Sequence, residues 1–219
     1  MRGLIFDLDG TLVDTVYAHV LAWQQALREA GMPIAGWRIH RRIGMSGGLF
    51  TRAVARETGG QLDAQQIEML QRRHGELFHT MMPDPRPLAG ARELIKHLRD
   101  ANIPFGIATS GRRPDIDPSL RVLDIGEDTV VVERGDVTRA KPEPDLFLAC
   151  QQRLGLRADE CFVVGDAVWD LLAARRAHMM SIGVLSGGYG EDELIRAGAY
   201  RVYRDPAELD ESLDELGVL

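Results

Sequence analysis

The sequence predicts an α/β fold in which a parallel sheet is covered by helices on both faces and carries an all-helical insertion after its first strand. Three observations predict it. From Gly90 onward, short apolar runs alternate with single helical segments, the pattern of parallel strands joined by right-handed crossovers. Another apolar run, Leu4-Ile5-Phe6, stands far from these and reads as a strand buried in the sheet. Between about Thr15 and Met82 there are helical periods and glycine-rich joints (Gly44, Gly47-Gly48, Gly59-Gly60) but no good strand pattern.

After the first strand, Asp14-Thr15 is an N-cap signal for a helix whose apolar residues Val16, Val20, Trp23 and Leu27 recur at helical spacing and which Gly31 stops. The last helix of the insertion opens at Asp63 and carries Ile67, Leu70, Leu77, Phe78 and Met81. The run Met82-Pro83-Asp84-Pro85-Arg86-Pro87 is a stiff extended linker, because prolines and the residues before them disfavour helix. The expected division is therefore a sheet domain of residues 1–14 and 84–219 and a helical insertion of residues 15–83. In the sheet domain the patterns predict strands at 104–109, 129–132, 161–164, 181–184 and 200–203. Helices are expected at 91–99, 144–154, 169–177, 192–197 and 206–216, with helix and loop between the strands ending at 109 and beginning at 129.

A chain of 219 residues can bury a proper core in one such domain and still carry a modest insertion. Its net charge of −7 gives no electrostatic reason to expect nucleic acid or an anionic membrane as partner. A small anionic substrate would then need locally placed cations or a metal. Cys150 and Cys161 lack CxxC spacing and read as reduced core thiols. No stretch approaches the roughly 20 apolar residues of a spanning helix, and the first residues lack a signal-peptide pattern. The expectation is a cytoplasmic protein, with a monomer as the default state. Among 26 basic residues only Lys96 and Lys141 are lysine, which draws attention to any role needing a compact ammonium.

Four polar features follow predicted strands, at the carboxyl ends where an α/β crevice collects ligands: Asp7 with Asp9, then Thr109-Ser110, then Lys141 before Pro142-Glu143-Pro144, then Asp166 with Asp170. Each alone reads as a cap, a turn or a solvated loop. Together, in order, they read as an active site. Carboxylates that converge without His or Cys partners repel one another unless they bind a hard cation, and Mg²⁺ is the commonest one paired with phosphate. A nearby ammonium and hydroxyl would complement a transferring phosphoryl group, whose oxygens need fixed positive charge and donors.

Asp7-Leu8-Asp9-Gly10-Thr11, Thr109, Lys141 and Gly165-Asp166-x-x-x-Asp170 resemble motifs one to four of the haloacid dehalogenase superfamily, with a small helical cap inserted after the first motif. The resemblance covers essentially the whole chain and implies a Rossmann-like core. It implies that Asp7 is the nucleophile that forms an aspartyl-phosphate and that Asp9 is the acid, then the base. Thr109 would hydrogen-bond a phosphoryl oxygen, and Lys141 would hold Asp7 and the phosphoryl charge together. Asp166 would bind Mg²⁺ with Asp7 and the backbone carbonyl of Asp9, and Asp170 would orient the metal or its water. Ser110 and Gly111, in the loop of Thr109, would contact substrate.

Within the superfamily, Asp9 argues against dehalogenases, which lack a carboxylate there. The absence of lysine from the insertion argues against phosphonate-cleaving relatives, which need one for a Schiff base. Asp14-Thr15 with His19 and Trp23 is similar to β-phosphoglucomutase-like members and related sugar-phosphate phosphatases, in which the histidine positions the acid/base aspartate. Thr11 after Gly10 is as in phosphatases. The loop 42–48 is the expected specificity element, with Met45 and Ser46 facing the substrate and Arg42, next to Arg41, able to meet a second phosphate. His178 stands where relatives usually have a helix-ending glycine and implies strain of roughly 1 kcal/mol. Ala167 replaces a frequent small hydroxyl residue and implies a missing hydrogen bond near the metal. The leading expectation is a Mg²⁺-dependent phosphomonoesterase acting on a small phosphorylated metabolite such as a sugar phosphate or phosphoglycolate. A sugar-phosphate mutase is second, and a non-catalytic binding module of this fold is third.

Overall fold

A computed structural model describes residues 2–218 of the chain. Six parallel strands form one sheet: β1 (Gly3–Phe6), β2 (Phe105–Ala108), β3 (Val130–Val132), β4 (Cys161–Gly165), β5 (Met180–Val184) and β6 (Ala199–Tyr203), in the order β3-β2-β1-β4-β5-β6. The order reverses at β1, so the crevice beyond its carboxyl end is the place where such a sheet binds ligands. All four residues of β1 are buried, because β2 and β4 flank it and helices cover both faces. Leu4 and Phe6 join one core layer with Leu94, Leu98 and Leu209, while Ile5 joins the other with Leu146, Phe147 and Ala173. This alternation explains why the strand reads as an unbroken apolar run.

The helices are α1 (Val16–Glu29), α2 (Gly36–His40), α3 (Gly47–Glu57) and α4 (Ala64–Met81), then α5 (Ala91–Asp100), α6 (Asp117–Val122), α7 (Asp145–Leu154), α8 (Val168–Arg176), α9 (Glu191–Ala197) and α10 (Pro206–Glu211). The first four pack on one another around Val20, Trp23, Leu27, Phe50, Val54 and Leu70. Asp63 caps α4 in a reciprocal box with Gln66. The chain leaves and re-enters the sheet side by side: Asp14 N donates to Arg86 O and Leu88 N to Leu12 O, so the proline-rich linker is one half of a short antiparallel pairing.

Two expectations are corrected. Gly47 and Gly48 are not a joint but the first turn of α3, where the buried residues Phe50, Thr51 and Val54 outweigh a helix penalty of about 1 kcal/mol per glycine. The last helix does not run to residue 216. The Ser212 hydroxyl bonds back to Glu208 O, α10 ends, and a 3₁₀ turn at Asp214–Leu216 follows, with Leu213 and Leu216 in the core. Cys150 and Cys161 are unpaired and buried in one core layer, where burial pushes their thiols up to about 12 and about 11. Among the described residues no helix is long and apolar enough to cross a membrane.

His178 adopts the left-handed conformation, φ 57°, that its position after α8 demands. His178 N donates to Arg175 O and Met179 N to Ala174 O, the two bonds of a Schellman ending, with an imidazole-bearing residue where glycine is unstrained. His178→Gly is therefore expected to raise stability by about 1 kcal/mol, measured by urea unfolding. A neutral or destabilising result would show that the imidazole makes up the strain through contacts of its own.

Candidate active site

Lys141 is the charged centre of the site. It is fully buried, and its ammonium meets Asp7 and, at 2.8 Å, Asp170. Burial alone would lower its pKa, but Asp170 and Asp7 outweigh that and raise it, so it stays charged. Asp7 follows β1, Asp166 stands in the turn after β4, and Asp170 lies in the first turn of α8. The three carboxylates have oxygens within 4.8 Å of one another, all buried. Burial is the largest cause of the rise of Asp7 to about 7. Lys141 opposes that rise, and Asp170 and Asp9 add to it. Asp166 is pushed well up by burial first, then by Asp170 and Asp7. One ammonium does not neutralise three carboxylates, and the group is short of positive charge.

The residues present suit a metal ion. Asp170 Oδ2 accepts from the N–H of Ala167 at 3.1 Å, while its buried Oδ1 is in ion contact with Lys141 at 2.8 Å and makes no hydrogen bond. Asp166 Oδ1 accepts from the Thr11 hydroxyl at 2.9 Å. No protein donor is bonded to Asp7 Oδ2 or Asp166 Oδ2 among the described residues, and both side chains line the cavity. The backbone is kept away from Asp166: Gly10 is left-handed (φ +80°), and a Cβ on Gly187 would lie 1.7 Å from Asp166 Oδ2. An all-oxygen, anionic, partly unbonded donor set in a glycine cradle fits a hard divalent cation. Asp7, Asp166 and Asp170 are the side chains grouped closely enough to hold it, and Asp170 also anchors Lys141.

Asp9 lies outside this carboxylate group and has partners of its own. The Thr15 hydroxyl donates to Asp9 Oδ1 at 2.6 Å, and His19 Nε2 is 3.4 Å from the same oxygen. Burial would raise the Asp9 pKa, but His19 and Thr15 outweigh it and hold it low. Thr15 sits at the N-cap of α1 as its sequence position suggests, yet its hydroxyl serves Asp9 and not the helix. His19 Nδ1 lies 3.0 Å from His74 Nε2 on α4, and the rings stack among Phe78 and Trp23. Burial, then His19, keeps His74 well below the usual imidazole range, hence neutral. The participation of His74 was not legible, because it depends on how α4 lies across α1.

A cavity of about 630 Å³ opens from Asp7 and Asp9 toward α1, α3 and α4. Thr109, Ser110 and Gly111 line it. Thr109 Oγ1 accepts from Gly111 N at 3.0 Å, which leaves its own proton for a ligand, and Ser110 Oγ donates to Gly44 O at 3.4 Å. His19, Arg42 and Met45 line it too, but the wall between Met45 and Phe50 is given by Gly47. Ser46 is buried and donates its N–H to Lys141 O, so the expectation that its side chain faces substrate is corrected. The Arg42 guanidinium is paired with Glu57 at 2.6 Å and bonded to Arg38 O, but Arg38 pairs with the same carboxylate, so the charge of Arg42 is only partly matched. Thr11, expected to mark the acceptor, is buried with its hydroxyl on Asp166. It orients a carboxylate and does not face an acceptor. Ala167 packs with Leu171 and Tyr189, and a Cβ on Gly44 would come within 3.2 Å of its methyl.

Residues 4–184 match the family described as haloacid dehalogenase-like hydrolase. A phosphoglycolate phosphatase of Photorhabdus laumondii is 33% identical over 199 residues, covering 87% of this chain and 83% of its own. A β-phosphoglucomutase of Bacillus subtilis is 28% identical over 216 residues, covering 95% and 92%. The crystal structure of a hydrolase from Pseudomonas syringae matches with a TM-score of 0.95 at 46% identity over 99% of each chain. With motif carboxylates gathered at the ends of β1 and β4 and a family match spanning most of its length, the chain belongs to the haloacid dehalogenase-like hydrolases.

Proposed function

We propose that this chain is a Mg²⁺-dependent phosphomonoesterase of a small phosphorylated metabolite, in which residues 15–83 act as a cap over the site. The observation that carries the reading is Asp7: Lys141 binds one of its oxygens, and the other lines the cavity without a protein donor. That is how a carboxylate nucleophile is oriented, and a bound cation would favour its ionised form. Asp7 Oδ2 attacks phosphorus, the ester oxygen leaves, and water then attacks the same phosphorus to return the free carboxylate and inorganic phosphate.

Lys141 stays protonated throughout and balances charge on Asp7 and the phosphoryl oxygens, while the Thr109 hydroxyl donates to one of those oxygens. Bound Mg²⁺, held by Asp7, Asp166 and the Asp9 carbonyl, would polarise the phosphoryl group. Asp9, ionised in the free protein, is ready to take the proton of the attacking water. His19 is the side chain placed to supply the proton that Asp9 gives to the leaving alcohol.

The phosphatase reading is supported by relatives named phosphoglycolate phosphatase at 30–33% identity. A mutase is supported by His19 beside Asp9 and by the Bacillus subtilis relative. The two separate on one measurement. Net phosphate release from a broad panel of phosphomonoesters with Mg²⁺ is expected, whereas isomer interconversion primed by a bisphosphate without net release would promote the mutase.

Asp7→Asn is expected to lower metal-dependent phosphate release by about 10³-fold or more, and unchanged release would remove Asp7 as nucleophile. Asp9→Asn is expected to cost about 10²–10⁴-fold on alkyl phosphates and much less on p-nitrophenyl phosphate, whose leaving group needs no proton. The comparison is made in kcat/KM, which reports phosphoryl transfer to Asp7 and not the later hydrolysis that both substrates share, and equal losses in it would deny Asp9 the acid role. Mg²⁺ at about a hundred times its dissociation constant is expected to raise Tm by about 5–10 °C, and Asp166→Asn to remove most of that shift.

A further inference from the structure

The helical insertion and the acidic centre meet on one short stretch of backbone. Arg41 O accepts two hydrogen bonds from the sheet domain, one from Trp169 Nε1 at 3.1 Å and one from Tyr189 OH at 2.9 Å. A carbonyl oxygen has two lone pairs, so this one is filled from both sides. Both donors stand next to the carboxylates. Trp169 adjoins Asp170 in the first turn of α8, and Tyr189 comes two residues after Gly187, the glycine that leaves room for Asp166 Oδ2.

The neighbouring contacts fall on the same two loops. His40 Nε2 lies 2.8 Å from the carbonyl of Gly187 itself. Gly44 sits against the turn after β4, where a Cβ on it would come within 3.2 Å of the Ala167 methyl and 3.4 Å of the Trp169 ring. Residues 40–44 therefore rest on Ala167, which directly follows Asp166, and on Gly187, which packs against the Asp166 carboxylate. Ser46 N, bonded to Lys141 O at 3.1 Å, carries the contact to the residue whose ammonium meets Asp7 and Asp170.

This arrangement ties the seat of the insertion to the charge beneath it. Asp166 shares one ammonium with two other buried carboxylates, and their mutual repulsion acts on the turn that carries Ala167 and Trp169. A divalent cation held by the group removes that repulsion and fixes the turn, and with it the surface on which residues 40–44 rest. By linkage, whatever the cation adds to docking of the insertion, docking adds to binding of the cation.

We propose that Trp169 and Tyr189 are positioning residues that latch the helical insertion over the site through the Arg41 carbonyl, and that this latch and cation binding at Asp166 strengthen each other. The inference rests on the reading above of residues 15–83 as a cap and of the carboxylates as a Mg²⁺ site.

Mg²⁺ alone is the probe, and no substrate is needed. In the full chain, amide hydrogen exchange read by mass spectrometry on peptides covering 40–50 is expected to slow by about 5-fold or more when Mg²⁺ is added, while peptides from the middle of α4 keep their rate. Trp169→Phe with Tyr189→Phe removes both donors and keeps an aromatic ring at each position. The double variant is expected to lose most of that slowing and to bind Mg²⁺ about 5-fold or more weakly by calorimetry, a change that loss of packing alone would not produce. Tyr189→Phe by itself removes a single hydroxyl, and the same two measurements on it are expected to move by about 2-fold or more, whether or not the double variant folds. Mg²⁺ that binds without slowing exchange at 40–50, or an affinity that neither variant changes, overturns the latch. A wild-type chain that binds no Mg²⁺ overturns the metal site and the latch with it. Mg²⁺ binding with the expected slowing, but no hydrolysis of any phosphomonoester, supports the latch and overturns the phosphatase reading alone.

Discussion

The contact on which the site depends is the buried ammonium of Lys141 between Asp7 and Asp170. An isolated ammonium in a protein interior costs several kcal/mol, and it persists here because two carboxylates, Asp7 after β1 and Asp170 in the first turn of α8, converge on it. That requirement draws β1, the β4–α8 turn and the loop before α7 to one point. Once they meet, Asp166 is a further carboxylate with too little positive charge around it, and the group as built has a place for a divalent cation. In the proposed mechanism, nucleophile and metal site are two aspects of one charge imbalance.

The helical lobe is held to this centre through its backbone. Ser46 N donates to the carbonyl of Lys141 itself, and Arg41 O accepts from Trp169 Nε1 and Tyr189 OH. His40 Nε2 lies 2.8 Å from Gly187 O, next to the glycine that leaves room for Asp166. The Arg41–Glu193 pair is half-exposed and contributes at most about 1 kcal/mol, so the backbone bonds, and not the visible ion pair, fix how α2 and α3 sit over the site.

The sheet and the motif residues were legible because their signals are local: an apolar run, then a carboxylate, at the ends of β1 and β4. Hydroxyl and guanidinium assignments were less so, since each has several candidate partners and only the packed structure chooses. Thr15 looked like a helix cap and holds Asp9, Thr11 looked like a mark of the acceptor and holds Asp166, and Arg42 looked free and is paired with Glu57. His74 carried no local signal, because its place beside His19 depends on α4 crossing α1. His178 was legible because the conformation after a helix end is a backbone constraint that needs no tertiary partner.

The central claim is that the charge arrangement around Lys141 makes Asp7 a covalent nucleophile. Rapid acid quench of a reaction with ³²P-labelled substrate and Mg²⁺, followed by peptide mapping, tests it most directly. Label on the peptide containing Asp7, formed within the first turnover and chased by unlabelled substrate, is the result this account predicts. Turnover with no protein-bound label, or with label on any other residue, would contradict it.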